Sequence, residues 1–272
     1  MTTPSHIPNV LAIAGSDPSG GAGIQADLKA FSARRAYGMA AITALTAQNT
    51  CGVSAVHLVP PDLVHQQLTT LFDDVRVDAV KIGMIATADI AMAVADALSA
   101  RNQAPVVLDP VMVAKGGASL LHDDAVNAVR EGLLPLATLV TPNLPEAARL
   151  LDLPVAGTRD DMLAQATALQ RLGPLAVLIK GGHLADEASP DCLVMADGVH
   201  WFETARIATT NTHGTGCTLS AAIAAELAHR HTIDHAVRAA KQYVTGAIAA
   251  AHRLTVGHGH GPTHHFHELW HA

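Results

Sequence analysis

Asn211-Thr212-His213-Gly214-Thr215-Gly216-Cys217 runs directly into the apolar pattern TLSAAIAAELAHR. A Gly-x-Gly turn that opens a helix leaves several backbone N–H groups without intrahelical acceptors, gathered at the positive end of the helix dipole. Such a place binds anions, and phosphate is the usual one. A thiol where the helix begins is expected to have a lowered pKa. The segment therefore predicts phosphoryl chemistry beside a tuned side chain. Two other readings stand beside it: a plain tight turn followed by a small buried cysteine, or a covalent nucleophile, Cys217, with His213 as its base.

Further polar residues fall where apolar runs end. LDPVM sets Asp109 at the close of one run, and TPNLPEAARLL sets Asn143 and Glu146 three apart, on one helical face. Two carboxylates with an amide suit Mg²⁺, which keeps several waters and takes few direct contacts. Asn-x-x-Glu also reads as a capping box. Lys180 finishes LAVLIK, ahead of Gly181-Gly182-His183; it either snorkels to the edge or neutralises charge on a transferring phosphoryl group. Gln48, in TALTAQNT, offers one acceptor and two donors, which match an aminopyrimidine edge or simply face solvent. Gly20-Gly21-Ala22-Gly23 allows close backbone approach, or forms a strand-to-helix turn capped by Asp17 or Ser19. Asp27, four residues after Gly23, either reaches a ligand over that turn or favours the helix dipole. The run is neither a Walker A loop nor a dinucleotide fingerprint.

Elements of a particular kind must hold these residues. Apolar runs at 10–15, 40–46, 54–59, 79–85, 106–111, 139–141 and 176–180 alternate with helical patterns at 23–36, 62–75, 88–101, 123–134, 144–151 and 160–172. Such alternation predicts right-handed crossovers and a mostly parallel sheet covered on both faces. Ligands of such sheets bind beyond the carboxyl ends of the strands. CLVMADGVHWFET carries Asp197-Gly198 between two apolar runs, an antiparallel edge hairpin, and helices at 217–230 and 234–253 follow. With 49% hydrophobic but 3% aromatic residues, the core must be Ala, Val, Leu and Ile. A net charge of −7 argues against nucleic acid or an anionic membrane as partner. Three cysteines without CxxC spacing indicate neither a disulfide framework nor a zinc site. No basic leader or spanning segment is evident, so one cytoplasmic domain over 1–272 is expected. The tail holds seven of 17 histidines and is expected to bind transition metals only adventitiously.

In order, AGSDPSGGAGIQADLKAF, TALTAQNT, KIGMI, VLDPVM, TPNLPEA, LIKGGH and HGTGCTLSAAIAA resemble the hydroxymethylpyrimidine/phosphomethylpyrimidine kinase family of thiamine biosynthesis. The resemblance spans roughly residues 9–266. It implies a ribokinase-like three-layer sandwich using ATP and Mg²⁺. Gln48 would read the aminopyrimidine, with Met84 on the ring, the Val111 backbone adding a hydrogen bond and Asp27 close by. Asp109 and Glu146 would organise the metal and phosphates, with Asn143 beside them. Lys180 would steady the moving phosphoryl group, and Gly214, Thr215 and Gly216 would supply anion-hole N–H groups. Lys241 would face the nucleotide. Relatives in the wider sugar-kinase superfamily carry an aspartate base where this chain has Cys217, as the pyrimidine kinases and related vitamin B6 kinases do. The expected activity is double phosphorylation of 4-amino-5-hydroxymethyl-2-methylpyrimidine by a homodimer, for which the 192–204 hairpin offers a surface. A pyridoxal kinase and a non-catalytic precursor-binding protein are the competing readings, and Gln48 favours the pyrimidine.

Overall fold

The computed structural model describes residues 6–113, 121, 123–182, 184 and 188–270. His183 and His271 lie outside them. In chain order the elements are β1 (Asn9–Ala14), α1 (Gly23–Ala33), β2 (Tyr37–Ile42), β3 (Ala44–Asn49), β4 (Gly52–Leu58), α2 (Pro61–Asp74), β5 (Ala79–Ile82), α3 (Ala88–Arg101) and β6 (Val106–Leu108). There follow α4 (Asp123–Ala128), β7 (Leu139–Val140), α5 (Leu144–Leu151), α6 (Arg159–Gln170), β8 (Ala176–Lys180), β9 (Ala188–Met195), β10 (Gly198–Ala205), α7 (Thr215–Ala228) and α8 (Ile233–Ala249). Among the described residues eight strands form one sheet in the order β10-β9-β8-β7-β6-β5-β1-β2. It is parallel from β8 to β2, and the β9–β10 hairpin closes one edge in antiparallel register.

Alternation along each strand builds three layers. In β1, Leu11 and Ile13 join the core under α2 to α6, whereas Val10, Ala12 and Ala14 join the core under α1, α7 and α8. The same rule applied to β5 sends Val80 and Ile82 to the first core and Ala79 to the second. Lys81 therefore faces the α1–α7 layer. Helix α7 is buried continuously from Thr218 to Leu227. A helix apolar on all sides must be interior, and its small residues let α1, α8 and the sheet approach it. The cleft-facing N-terminus of α7 is thus anchored by its own core.

Three expected elements differ. The run at 40–46 is two strands: β2 ends at Ile42, and the Thr43 hydroxyl turns to Met84 O at 2.6 Å. The chain then leaves the main sheet to form the separate β3–β4 ribbon. The pattern at 123–134 is α-helical only to Ala128; a π-turn covers Val129–Leu133, and Pro135 sits in the following 3₁₀ turn. Strand β6 stops at Leu108 rather than residue 111, because Asp109-Pro110 turns out of the sheet. Among the described residues no helix is long and apolar enough to cross a membrane.

Candidate active site

The carboxyl ends of β1, β5, β6, β7 and β8, the β3–β4 ribbon and the start of α7 surround a cleft of about 980 Å³. Its walls carry Gln48, Met84, Asp109, Val111, Asn143, Glu146, Lys180, Gly214, Thr215, Gly216, Cys217 and Lys241. Asp27 is the one expected site residue that does not line it.

The anion turn forms as its sequence suggests. Gly214 is the N-cap of α7 at φ +74°, a conformation open to glycine at little cost. A Cβ there would also collide with Gly21 O, so the two glycine-rich segments are packed backbone to backbone. Thr218 N–H reaches Gly214 O at 2.8 Å. Thr215 departs from expectation: its N–H and hydroxyl both turn to Thr212 O, at 3.3 and 2.8 Å, closing the turn itself. Gly216 and Cys217 are left as the helix-terminal amides without intrahelical acceptors.

His213 does not serve Cys217. Its Nε2 lies 2.7 Å from Asp17 Oδ2, a carboxylate oxygen that can only accept. Asp17 also accepts from the Ser19 N–H and hydroxyl at 2.9 and 2.7 Å and from Ala22 N–H at 2.8 Å. Burial disfavours the Asp17 charge, but the His213 and Ser19 hydrogen bonds outweigh it and lower the pKa. One carboxylate thus ties both glycine-rich turns together.

Opposite the turn lies a charged cluster. Lys180 Nζ is 2.8 Å from Asp109 Oδ1 and 3.9 Å from Glu146 Oε2. Asn143 and Glu146 do form the capping box, with Glu146 N–H donating to Asn143 Oδ1 at 2.9 Å and Asn143 N–H to Glu146 Oε2 at 2.7 Å. Capping and site chemistry coexist, since both residues also line the cleft. Burial, opposed by Lys180 and reinforced by Asp109, pushes the Glu146 carboxyl up to about 7. Burial works against the Lys180 charge as well, yet Asp109 and Glu146 prevail and raise its pKa. Two buried carboxylates share one ammonium, and a further cation beside them would favour the ionised form of Glu146. That donor set fits a hard divalent cation.

Cys217 is half-buried. Burial pushes its thiol up to about 11, despite the Lys81 ammonium and a hydrogen bond from Gly23 N–H. The lowered pKa expected from the helix start is not found, because desolvation, with Asp27 and Asp109, exceeds the pull of Lys81 and the Gly23 N–H. Beneath it, Lys81 Nζ binds both Asp27 oxygens at 2.8 Å, and both side chains are fully buried. Asp27 is therefore a floor residue, not a ligand-facing one. Lys81 was not singled out from the sequence, although a lysine inside the buried strand AVKI, on a core face by alternation, was the available signal.

On the remaining wall, Gln48 sits at a register shift in β3, and its Nε2 is 3.5 Å from His213 Nε2. It stands on the ribbon and not at the end of a main-sheet strand. Met84 is buried with Ala44 and Ala86, Val111 packing alongside. Val111 N–H donates to Asp109 O at 2.8 Å, which leaves a ligand the Val111 carbonyl. Lys241 is held by Asp191 Oδ2 at 2.5 Å and Ser189 O at 2.8 Å. The histidine-rich tail is a strap. His260 N–H donates to Thr50 O at 2.9 Å, His265 Nε2 lies 3.0 Å from the Thr218 hydroxyl, and the His264 ring meets Trp270 at a tilt of 59°. Of these, His264 and His265 use their rings in packing, while His260 is held through its backbone.

The model of the family described as phosphomethylpyrimidine kinase matches residues 17–264. The hydroxymethylpyrimidine/phosphomethylpyrimidine kinase of Escherichia coli is 56% identical over 263 residues, covering 96% of this chain and 98% of that one. The ADP complex of Bacillus subtilis pyridoxal kinase is similar in structure, with a TM-score of 0.89 at 40% identity over 97% of this chain and 99% of that one. Phosphomethylpyrimidine kinase from Clostridium difficile gives 0.79 at 41% identity, over 89% and 100% of the two chains.

Proposed function

The chain belongs to the phosphomethylpyrimidine kinase family, and we propose that it phosphorylates 4-amino-5-hydroxymethyl-2-methylpyrimidine twice, with ATP as donor, as one ribokinase-like domain. The observation that carries this reading is the position of Gly216. A Cβ built on it would stand 3.4 Å from Lys180 Nζ and 3.6 Å from Asp109 Oδ2, so the helix-start amides and the charged cluster face one small volume. Gln48 borders the same turn through His213.

In this reading the amides of Gly216 and Cys217 hold the transferring phosphoryl group, as oriented donors do at a developing anion. Lys180 shifts from Asp109 towards the phosphoryl oxygens. Lys241 lies on the nucleotide side. The Gln48 amide and Val111 carbonyl pair with the aminopyrimidine, and Met84 packs on its ring. The acceptor hydroxyl donates to Cys217 Sγ, which orients it without removing its proton, since the thiol is protonated near neutral pH. Transfer through a loose transition state does not need a strong base. The new P–O bond forms as the bond to ADP breaks, and the hydroxyl proton leaves late, to a phosphate oxygen. Asp109 and Glu146, with Asn143 beside them, would hold Mg²⁺, which supplies neutralisation of phosphate charge when bound.

The deciding experiment is ADP release with a panel of vitamin-precursor alcohols, followed by mass measurement of the products. Successive gains of one and two phosphates on the pyrimidine are expected. A preference for pyridoxal of about tenfold, roughly 1.4 kcal/mol, would overturn the substrate assignment, and ATP turnover indifferent to any alcohol would overturn the kinase itself. A cytoplasmic homodimer is proposed with this function. The β9–β10 edge, where Val199 is 44% exposed, offers a surface for it, and sedimentation gives the mass.

A further inference from the structure

We propose that Glu226, His231 and His235 form a second, non-catalytic metal site that takes a borderline transition-metal ion such as Zn²⁺. Glu226 lies in the last turn of α7, His231 in the connection and His235 in the first turn of α8. One ligand atom from each lies within 4.8 Å of the other two. His231 Nδ1 is already 2.8 Å from Glu226 Oε2, and the two imidazole rings are 4.4 Å apart. Two imidazoles and one carboxylate, completed by water, are a recurrent zinc set.

One feature separates this cluster from a chance surface grouping. Glu226 is buried, and Arg34 holds its Oε1 through Nε at 2.7 Å and Nη2 at 2.5 Å. The carboxylate is thereby oriented with Oε2 towards the histidines, the arrangement expected of a partner behind a metal ligand. His231 and His235 are exposed and can rotate to close the remaining gap. The site is nine residues, about 13 Å, along α7 from Cys217. It is therefore separate from the Mg²⁺ position.

Zn²⁺ titration of the full chain by calorimetry tests this. One equivalent is expected in the unaltered protein and in His252→Ala/His258→Ala, which removes exposed tail imidazoles. In His231→Ala/His235→Ala that equivalent should weaken at least about tenfold. Co²⁺ should give a tetrahedral absorption band that the His231→Ala/His235→Ala protein lacks. Binding that survives in that variant but is lost with the tail histidines would overturn the assignment, as would the lack of any Zn²⁺ uptake by the unaltered protein. Both substitutions lie at exposed positions, and an unchanged far-UV spectrum checks that they fold.

Discussion

Lys81 and Asp27 form an ion pair with both oxygens at 2.8 Å from Nζ, sealed from solvent beneath Cys217. The pair bolts β5 to α1 directly under the acceptor position. Removing one partner strands a charge in the core, at a cost of about 3–5 kcal/mol. Asp27→Ala and Lys81→Met should each lower the urea midpoint strongly. The double change Asp27→Leu/Lys81→Met should cost clearly less than their sum, and additive losses in that cycle would show that the pair is not coupled.

The Cys217 thiol supplies a prediction in pH. Its pKa of about 11 compares with 9.0 for an ordinary thiol. Below pH 9 its thiolate fraction is therefore about a hundredfold smaller than that of an ordinary cysteine. In a Cys51→Ser background, Cys192 being buried with its thiol pushed up to about 12, alkylation of Cys217 should rise tenfold per pH unit until about pH 11. The sign for stability follows. A thiol held protonated by the fold stabilises below pH 9 and loses that contribution as pH climbs towards 11. A plateau in alkylation near pH 7 would mean a thiolate and would make Cys217 a candidate base.

Much of this was legible in the chain, and the reasons differ by residue. The strand ends could be read because the runs of β1, β5 and β8 are broken by glycine and that of β6 by aspartate, and a parallel sheet forces those breaks to one edge. Gly214 was legible because a helix start after Gly-x-Gly has few other forms. The protonation of Cys217 was not, since burial depends on α1 and β5 packing over it, and these are remote in sequence. Asp27 was misplaced for the same reason: only the alternation in β5, followed through to Lys81, reveals that it points to the floor. The link from Asp17 to His213 spans 196 residues, and no local pattern carries it.

Gly214 offers the sharpest test of the turn. Alanine there must take φ +74° and meet Gly21 O. Left-handed strain alone costs about 1–3 kcal/mol. Gly214→Ala should lower the melting temperature and abolish detectable ADP release, while Gly52→Ala, which meets nothing within 4 Å, should do neither. Comparable activity in the two variants would remove the turn from the phosphate site.

Lys180 should matter for rate more than for nucleotide affinity. If it meets the phosphoryl group only as charge develops, Lys180→Met should reduce kcat by roughly a hundred- to a thousandfold. Equilibrium dialysis of ADP should change far less. An equal loss in both would instead identify Lys180 as a ground-state binding residue, since uniform binding does not raise kcat.

The exchange of aspartate for Cys217 can be tested against the double reaction. In the first turnover the acceptor is a neutral alcohol. In the second it is a phosphate ester, already ionised, that needs no base and brings its own negative charge to the same place. A neutral sulfur tolerates that charge, and the thiol's raised pKa keeps it neutral. A carboxylate would repel it. Cys217→Asp should therefore retain part of the first phosphorylation and lose the second by at least about tenfold more, a difference of roughly 1.4 kcal/mol. Product masses should stop at one added phosphate, and KM for the monophosphate should rise more than KM for the alcohol. Equal damage to both steps would leave the cysteine with a packing role alone.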